Sequence, residues 1–335
     1  MIRVIRGGIC AALLLVLMQG CAAVQYVDDQ VTGNLYLREN RHEEGIRDFQ
    51  ARVRENPEAH LPHYYLGRFL LAQDRPEEAE VSLRKAVQLD PENAEYRYWL
   101  GVAYWALDDP ENERLAYEQA LTLDPEHIPA RVYLGHNLLD AGDARGALNQ
   151  YNQVLVLAPG QPEALYSRAA ALTILGEDLQ AVEAWKDYLA YYPEGSLARD
   201  AAMNLNQVGN FSYRTQVIGV RQMVLKQVTF EPGTALLADD SLPSLDAVGA
   251  VMERNHRFNV AVNAFAGSDQ GLAQARAQSV RSYILNRHPL ILPDRIQVQA
   301  FDRPERIRVG DTTYALEESI VFHTVRQEEH NEALQ

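Results

Sequence analysis

Residues 89–92 read Leu-Asp-Pro-Glu, and residues 123–126 repeat the same four residues 34 positions later. Residues 157–160, Leu-Ala-Pro-Gly, continue the series at the same interval. The proline of this motif belongs to a ladder of five, each 34 residues after the last: Pro57, Pro91, Pro125, Pro159 and Pro193. A fixed period of this length is typical of proteins built from stacked copies of one small structural unit.

The residues around the ladder repeat by type as well as by spacing. A column of small residues lies 24 positions before the prolines, and a column of large apolar residues lies eight positions before them: Gly33, Gly67, Gly101, Gly135, Ala169, and Phe49, Leu83, Tyr117, Tyr151, Trp185. A second small column, 12 positions before the prolines, is interrupted only by Glu113. Within the copy at 61–94, apolar residues recur three and four apart in two separate runs, which predicts two helices. The sequence therefore predicts antiparallel helix pairs that meet at small residues and end at proline.

The 34-residue period and its anchors resemble the tetratricopeptide repeat (TPR) family over residues 26–193. The resemblance implies an α-helical TPR solenoid of five repeats. It also implies a concave groove, lined by the first helix of each repeat, that docks a protein or peptide. Residues 194–209 are predicted to form a capping helix, because the last repeat would otherwise expose its apolar stacking face.

The groove positions implied by the resemblance carry aromatic and mostly neutral side chains. The candidate partner-binding residues are Tyr64, Arg68, Tyr98, Trp105, His136 and Tyr166. Tyrosine and tryptophan offer large contact areas with a polar tip and are frequent at binding hot spots. The alternative is that part of these rings only packs between neighbouring repeats. The Lys and Asn pair with which chaperone-binding TPR domains clamp a terminal carboxylate is missing here.

The first twenty residues have the pattern of an export signal. Arg3 and Arg6 precede an apolar run from Ile9 to Met18, which is too short to span a bilayer as a helix. Residues 17–21, Leu-Met-Gln-Gly-Cys, resemble the cleavage site of bacterial lipoproteins. The resemblance implies a signal peptide over 1–20, lipidation of Cys21 and a short tether over 21–25. The alternative is an ordinary secretory signal followed by an unrelated cysteine.

The expected location follows from the residue after the cysteine. In lipoproteins of this kind, Asp at that position favours retention in the inner membrane, whereas this chain has Ala22. We therefore expect a lipid-anchored protein of the outer membrane that faces the periplasm. Cleavage before Cys21 would leave a single cysteine, so no disulfide could form within the mature chain.

The 34-residue period stops at residue 210, and β-branched runs begin. Residues 210–219 are predicted to be a linker, 220–326 an α+β domain and 327–335 a disordered tail. Alternating or β-branched runs predict strands, and apolar residues three or four apart predict helices. The order is β-α-β-α-β-β: strands at 224–230, 258–265, 295–301 and 319–325, with helices at 239–255 and 272–287. This order predicts a mixed sheet with helices on one face.

Several motifs in 220–325 resemble the peptidoglycan-holding C-terminal domain of the outer membrane protein A (OmpA) family. They are residues 228–231, Val-Thr-Phe-Glu; residues 266–269, Ala-Gly-Ser-Asp; and residues 275–280, Ala-Arg-Ala-Gln-Ser-Val. The resemblance implies that Asp269 and Arg276 grip the ammonium and carboxylate of a diaminopimelate residue, a pairing that suits both groups. The chain departs from the family between these two residues, where it is shorter, and at 317–319, where Glu-Glu-Ser replaces a paired arginine. The alternatives are a helix-capping carboxylate for Asp269 and a solvated helix face for Arg276.

Composition and motifs narrow the function classes. The net charge of −15, with 31 basic against 46 acidic residues, disfavours nucleic acid as a partner. The sequence contains no catalytic, phosphate-binding or metal-binding signature, so we expect no enzyme activity, no cofactor and no metal. The function predicted is a cell-envelope scaffold that docks a protein through the TPR groove and contacts peptidoglycan through the OmpA-like module. The alternatives are an assembly factor that does not bind the wall and a cell-wall-active enzyme.

Overall fold

The computed structural model describes residues 23–326, so the predicted signal peptide, Cys21 and the tail 327–335 lie outside the described residues. The chain divides into two compact units between Pro159 and Gly160, and each unit contains a hydrophobic core. The tether predicted over 21–25 is helical from residue 23 onward.

The first unit consists of helices joined by short turns. They are α1 (23–38), α2 (His42–Glu55), α3 (His60–Ala72), α4 (Pro76–Leu89), α5 (Ala94–Ala106), α6 (Pro110–Leu123), α7 (Ile128–Asp140) and α8 (Ala144–Leu157). From α2 to α8 each helix contacts the next. The predicted helix pairs are therefore present, with each ladder proline in the turn that follows the second helix of a pair.

The columns of small and large residues form one contact within each pair. A Cβ added to Gly67 would lie 2.5 Å from Leu83 Cγ, and one added to Gly135 would lie 2.5 Å from Tyr151 Cε1. Both large side chains are fully buried. The absence of a glycine side chain thus makes room for the large residue of the partner helix.

The turns between successive pairs are closed by a column that sequence reasoning missed. Residues six positions after three ladder prolines donate hydrogen bonds to the proline carbonyl: His63 to Pro57, Arg97 to Pro91 and Arg131 to Pro125. For His63 the distance from Nε2 to the carbonyl oxygen is 3.0 Å. A carbonyl left exposed by the end of a helix pair is satisfied in this way.

The turns within pairs contain a second unanticipated column, in which the backbone is left-handed. Its members have φ between +54° and +83° and are spaced 34 residues apart: Asn40, Asp74, Asp108, Gly142 and, in the second unit, Gly176. Asn, Asp and Gly are the residues that tolerate this conformation best.

The second unit begins with three helices and continues as an α+β region. The helices are α9 (Pro162–Ile174), α10 (Asp178–Tyr191) and α11 (Ser196–Gln207). The elements that follow are β1 (Tyr213–Ile218), β2 (Arg221–Lys226), α12 (Leu242–Arg254), β3 (Phe258–Ala266), α13 (Gln270–Arg287), β4 (Ile296–Phe301), β5 (Glu305–Val309), β6 (Thr312–Leu316) and β7 (Glu318–Arg326). Helix α11, which the sequence predicts as a cap, contacts α10, β1 and β2.

The central sheet has the order β4-β3-β7, with β3 parallel to β4 and antiparallel to β7. Alternate residues of β3, Val260, Val262 and Ala264, share one core with Val248 of α12 and Val280 of α13. Both helices therefore cover the same face of a mixed sheet, as the sequence predicts.

Three expectations for this region are wrong. The predicted linker 210–219 contains strand β1, which pairs with β2 in a hairpin, and the strand predicted over 224–230 is β2, displaced to Arg221–Lys226. The hairpin β5–β6 is missing from the predicted order, so the observed order is β-β-α-β-α-β-β-β-β. These strands are short and form sheets of two, so they lack the long apolar alternation that marks a strand of a buried sheet.

Candidate functional site

Two of the predicted groove residues are interior residues of the repeats. Tyr64 is 5% exposed and its ring packs on Tyr96 at 4.7 Å between centroids. Tyr98 is 8% exposed and packs on the ring of Tyr133 at 5.8 Å. Because each ring contacts the first helix of the following repeat, packing between repeats accounts for both, which is the alternative that the sequence left open.

The hydroxyl of Tyr64 belongs to a polar cluster that joins three successive first helices. Glu95 Oε1 accepts from Tyr64 at 3.0 Å and from the Trp99 indole at 2.8 Å. Glu95 Oε2 accepts from His127 Nε2 at 3.1 Å. His127 Nδ1 accepts from the backbone N–H of Ala130, so the ring proton is on Nε2. Residues of α3 and α5, with the N-cap residue of α7, thus hold one carboxylate in a fixed orientation.

The charge of Glu95 is stabilised by these donors. Burial opposes ionisation, but the hydrogen bonds from His127, Trp99 and Tyr64 outweigh it, so the pKa of the carboxyl lies below its usual value. Burial also raises the pKa of the Tyr64 hydroxyl, which therefore remains a donor. Sequence reasoning missed Glu95, Trp99 and His127; the available signal was that Glu95 and Trp99 lie on one first helix and that His127 directly precedes the next.

Arg68 lies at the edge of this cluster. Its guanidinium stacks over the Trp99 ring at 4.3 Å from the centroid, and Nη1 donates to the Tyr64 hydroxyl at 2.9 Å. The side chain is half-buried and its Nε has no partner among the described residues. A stacked guanidinium is held in plane, which suits it to recognise a carboxylate.

Trp105 differs from the buried tyrosines. It lies near the end of α5 and is 59% exposed. Its indole offers a large apolar face and an N–H donor, the combination frequent at binding hot spots.

The remaining groove candidates are half-buried. His136 lies 5.7 Å from the Tyr133 ring and 5.8 Å from the Tyr151 ring. Tyr166, in the second unit, packs edge-on against Trp185 at 5.0 Å and Tyr188 at 5.3 Å. Of the six predicted residues, Trp105 and Arg68 therefore present the groups best placed to meet a partner.

Arg276, the second predicted wall ligand, is buried rather than on a solvated helix face. It is 1% exposed, its Nε donates to the Thr234 carbonyl at 2.9 Å, and its Nη1 pairs with Glu318 Oε2 at 3.0 Å. The guanidinium also lies 4.8 Å from the centroid of Phe230. Nη2 is buried and has no partner among the described residues. Thus one nitrogen of an otherwise satisfied guanidinium remains without a partner among the described residues.

Asp269 caps the same helix. Its Oδ1 accepts from the backbone N–H of Leu272 at 2.8 Å, which makes it the N-cap of α13, and its side chain is exposed. No ion pair joins Asp269 to Arg276 among residues 23–326; the partner of Arg276 is Glu318. The capping role is the alternative that the sequence left open for this carboxylate.

Two kinds of feature are absent from residues 23–326. No helix there combines the length and apolar character needed to cross a bilayer. In the same residues, no cluster of three or more His, Cys, Asp or Glu side chains is arranged to hold a metal ion.

Comparisons with known protein families find matches within the repeats. Family models described as TPR repeat or tetratricopeptide repeat match residues 67–108, 94–127 and 134–196. A search of curated proteins finds no match.

Solved structures are similar over part of the chain. MamA is 25% identical over 48% of this chain and 93% of its own, with a TM-score of 0.45. YrrB, described as a TPR protein with an unusual peptide-binding site, is 23% identical over 50% of this chain and 87% of its own, with a TM-score of 0.45. PilF of Pseudomonas aeruginosa is 17% identical over 66% of this chain and 87% of its own, with a TM-score of 0.49.

The family models and the helix pairs agree on the same stretch of sequence. Nothing in the described residues points to catalysis. Residues 67–127 and 134–196 are therefore tetratricopeptide repeats, the repeat class of protein-interaction scaffolds.

Proposed function

We propose that this chain is a cell-envelope scaffold that docks a protein partner on its TPR repeats. The observation that carries the proposal is Trp105, a tryptophan that is 59% exposed on a first helix, where repeats of this class present their ligand-binding surface. Arg68, which lies on the preceding first helix and stacks over Trp99, would add recognition of a carboxylate.

Site-specific photocrosslinking tests this docking surface. A photoreactive phenylalanine analogue at position 105 is expected to give a discrete crosslinked adduct in cells. The matched control is position 81, where valine is 64% exposed but lies on α4, a second helix. Equal adducts at both positions, or none at 105, would contradict docking through the first helices.

We propose that lipid on Cys21 anchors the chain in the outer membrane, where the chain faces the periplasm. Its support is residues 17–21 together with Ala22. Cys21→Ser should abolish incorporation of labelled palmitate and release the chain into the soluble periplasmic fraction. Ala22→Asp should keep the label and move the protein to the inner membrane. Palmitate labelling of Cys21→Ser equal to that of the unmodified chain would refute the anchor.

We further propose that residues 220–326 form an OmpA-like module whose wall contact runs through Arg276. The support is the free Nη2 of a buried guanidinium at the position that the resemblance assigns to the carboxylate of diaminopimelate. Glu318 occupies Nη1 and opposes an incoming carboxylate, but its own side chain is 62% exposed and can turn away. Wall binding is therefore expected to be weak until Glu318 is neutralised.

Co-sedimentation of the chain with purified diaminopimelate-type peptidoglycan tests the contact. Glu318→Gln should increase the sedimented fraction, and Arg276→Met, which fills the same space without charge, should abolish it in either background. If Glu318→Gln does not sediment, the alternative holds: an assembly factor that has retained a scaffold without wall binding.

A further inference from the structure

The second unit contains a cavity of about 820 Å³ that lies outside both candidate sites described above. One wall is strand β2, the opposite wall is α12, and the turn between α10 and α11 borders it. We call this space the β2 groove and define it by residues 220–226, Pro243, Ala247, Val251, Arg254 and Arg199.

Strand β2 has a free edge that faces the β2 groove. Among the strands of residues 23–326 it pairs with β1 only. Just beyond β2, the N–H of Gln227 donates to the Ser212 carbonyl at 2.8 Å, in register with the hairpin. Because an antiparallel ladder alternates, the N–H and C=O groups of Gln222, Val224 and Lys226 then point away from β1. All three residues line the groove, so it contains a row of backbone donors and acceptors able to pair with another strand.

The groove also has an apolar component. Pro243, Ala247 and Val251 on α12 face it, and Met223 lies among them. At its end, Val220 is 90% exposed in the turn between β1 and β2. Apolar side chains at alternate positions of an added strand would be covered by these residues.

The charge of the groove is opposite to that of the chain. Its lining contains four basic residues, Arg199, Arg221, Lys226 and Arg254, and two acidic ones, Glu194 and Asp240, whereas the whole chain has a net charge of −15. Lys226 and Asp240 pair with each other at 2.8 Å. Arg221 and Arg254 are exposed and form no ion pair with any residue of 23–326. Two guanidinium groups therefore remain to attract an anionic ligand.

We infer that the β2 groove binds an extended, acidic segment of a partner protein, which adds as a strand to the edge of β2. Backbone pairing along the six residues of β2 would give affinity, as in other complexes formed by strand addition. Specificity would come from the lining: apolar side chains of the segment pack on Pro243, Ala247 and Val251, and its carboxylates meet Arg221 and Arg254. This interface is separate from the first-helix surface of the repeats and does not depend on it.

Selection of peptides on the full chain tests this inference. A random ten-residue library is expected to yield peptides that combine apolar residues with Asp or Glu. Gln222→Pro removes one outward N–H while leaving the pairing with β1, since an edge strand accepts proline at such a position. It should weaken the selected peptides about ten-fold, whereas Gln222→Ala should not. Arg221→Glu with Arg254→Glu should weaken them further. Selected peptides without acidic bias, or equal binding to Gln222→Pro, would overturn the inference.

Methylation of peptide nitrogens separates strand addition from simple charge attraction. Methyl groups on alternate amides of a selected peptide should abolish binding in one of the two possible patterns and spare it in the other, because only one edge of the peptide faces β2. Equal binding of both methylated forms would refute strand addition. Binding that appears only after residues 327–335 are removed would identify the occupant as that segment of the same chain, which contains Glu328, Glu329 and Glu332, and would overturn the partner assignment.

Discussion

The repeats and the C-terminal sheet region bury polar groups in different ways. In the repeats, Glu113 is 5% exposed and accepts from Asn137 Nδ2 at 2.8 Å, 24 residues further along the chain. In the sheet region, Arg295 is 4% exposed and donates to backbone carbonyls of Met252, Asn255 and Phe258, 37 to 43 residues away. Glu113 is therefore satisfied by a side chain of the next helix, whereas Arg295 is satisfied by backbone carbonyls at the end of α12 and the start of β3.

This difference indicates which residues hold each region together. A repeat depends on contacts inside a window of about one period, so the same residue type performs the same task in successive copies. The sheet region depends on single residues that join elements distant in sequence. Loss of one such residue should have a larger effect there than loss of one repeat anchor.

Arg295 offers the largest expected effect. Arg295→Met should lower the free energy of unfolding of the sheet region by about 3 kcal/mol, because carbonyls at the end of α12 lose charged donors. Hydrogen exchange of peptides from 242–266 measures this loss. Arg295→Lys keeps the charge but has one nitrogen, so it should recover only part of the protection. Unchanged exchange in Arg295→Met would remove the contrast between the two regions.

Gly135 tests the small and large columns of the repeats. Gly135→Ala places a Cβ 2.5 Å from Tyr151 Cε1, and such overpacking should lower the free energy of unfolding by about 2 kcal/mol. Urea unfolding followed by far-ultraviolet circular dichroism measures it. Tyr151→Leu combined with Gly135→Ala should be less unstable than the sum of the two single changes. Simple additivity would show that the columns do not act as pairs.

Glu113 interrupts the second column of small residues and should make stability depend on pH. Burial raises the pKa of its carboxyl, although the hydrogen bond from Asn137 acts in the opposite direction. The folded state therefore holds the proton more tightly than the unfolded state does. The stability that this proton contributes is fully present below the unfolded pKa and is lost as pH rises through the folded pKa. Glu113→Gln should increase the free energy of unfolding at neutral pH by about 1 kcal/mol.

The measurement for Glu113 is urea unfolding across pH. Glu113→Gln should gain less, or nothing, at pH values below the usual glutamate pKa, where both chains are uncharged at this position. Asn137→Ala is the matched change. It should lower the free energy of unfolding more at neutral pH, where Glu113 is charged, than at acidic pH, where Glu113 is protonated. The same gain at every pH would contradict a buried, proton-linked carboxyl.

The smallest effects are expected in the left-handed turns. Asp74→Gly should increase the free energy of unfolding by about 0.5 kcal/mol, because glycine adopts the φ of +54° without steric strain. Gly142→Ala should lower it by about 1 kcal/mol, since nothing lies within 4 Å and the backbone conformation alone opposes alanine. Thermal unfolding of both variants measures the two changes in stability. Changes in the same direction would show that the turn column is not under this constraint.

The repeats were predictable because helical periodicity and the 34-residue spacing fix which faces are apolar and where pairs end. The helices of the sheet region were equally clear, and α12 and α13 lie where their apolar spacing predicts. The hairpins β1–β2 and β5–β6 were missed because short, two-stranded sheets need little apolar alternation. The groove residues were only partly predictable. The sequence placed Tyr98 and Trp105 on one helix, but it did not show that Tyr98 is buried and Trp105 is exposed.

The sequence by itself determined the repeat register, the helix pairs and the short apolar run before Cys21, since each depends on residues close together in the chain. Only the tertiary structure decided that Arg276 is buried against Glu318, that Glu95 joins three first helices, and that β2 has an unpaired edge beside Arg221 and Arg254. The physical reason is that burial and charge pairing depend on neighbours in space, and those neighbours lie 31 to 42 residues apart for Tyr64 with Glu95, Glu95 with His127, and Arg276 with Thr234.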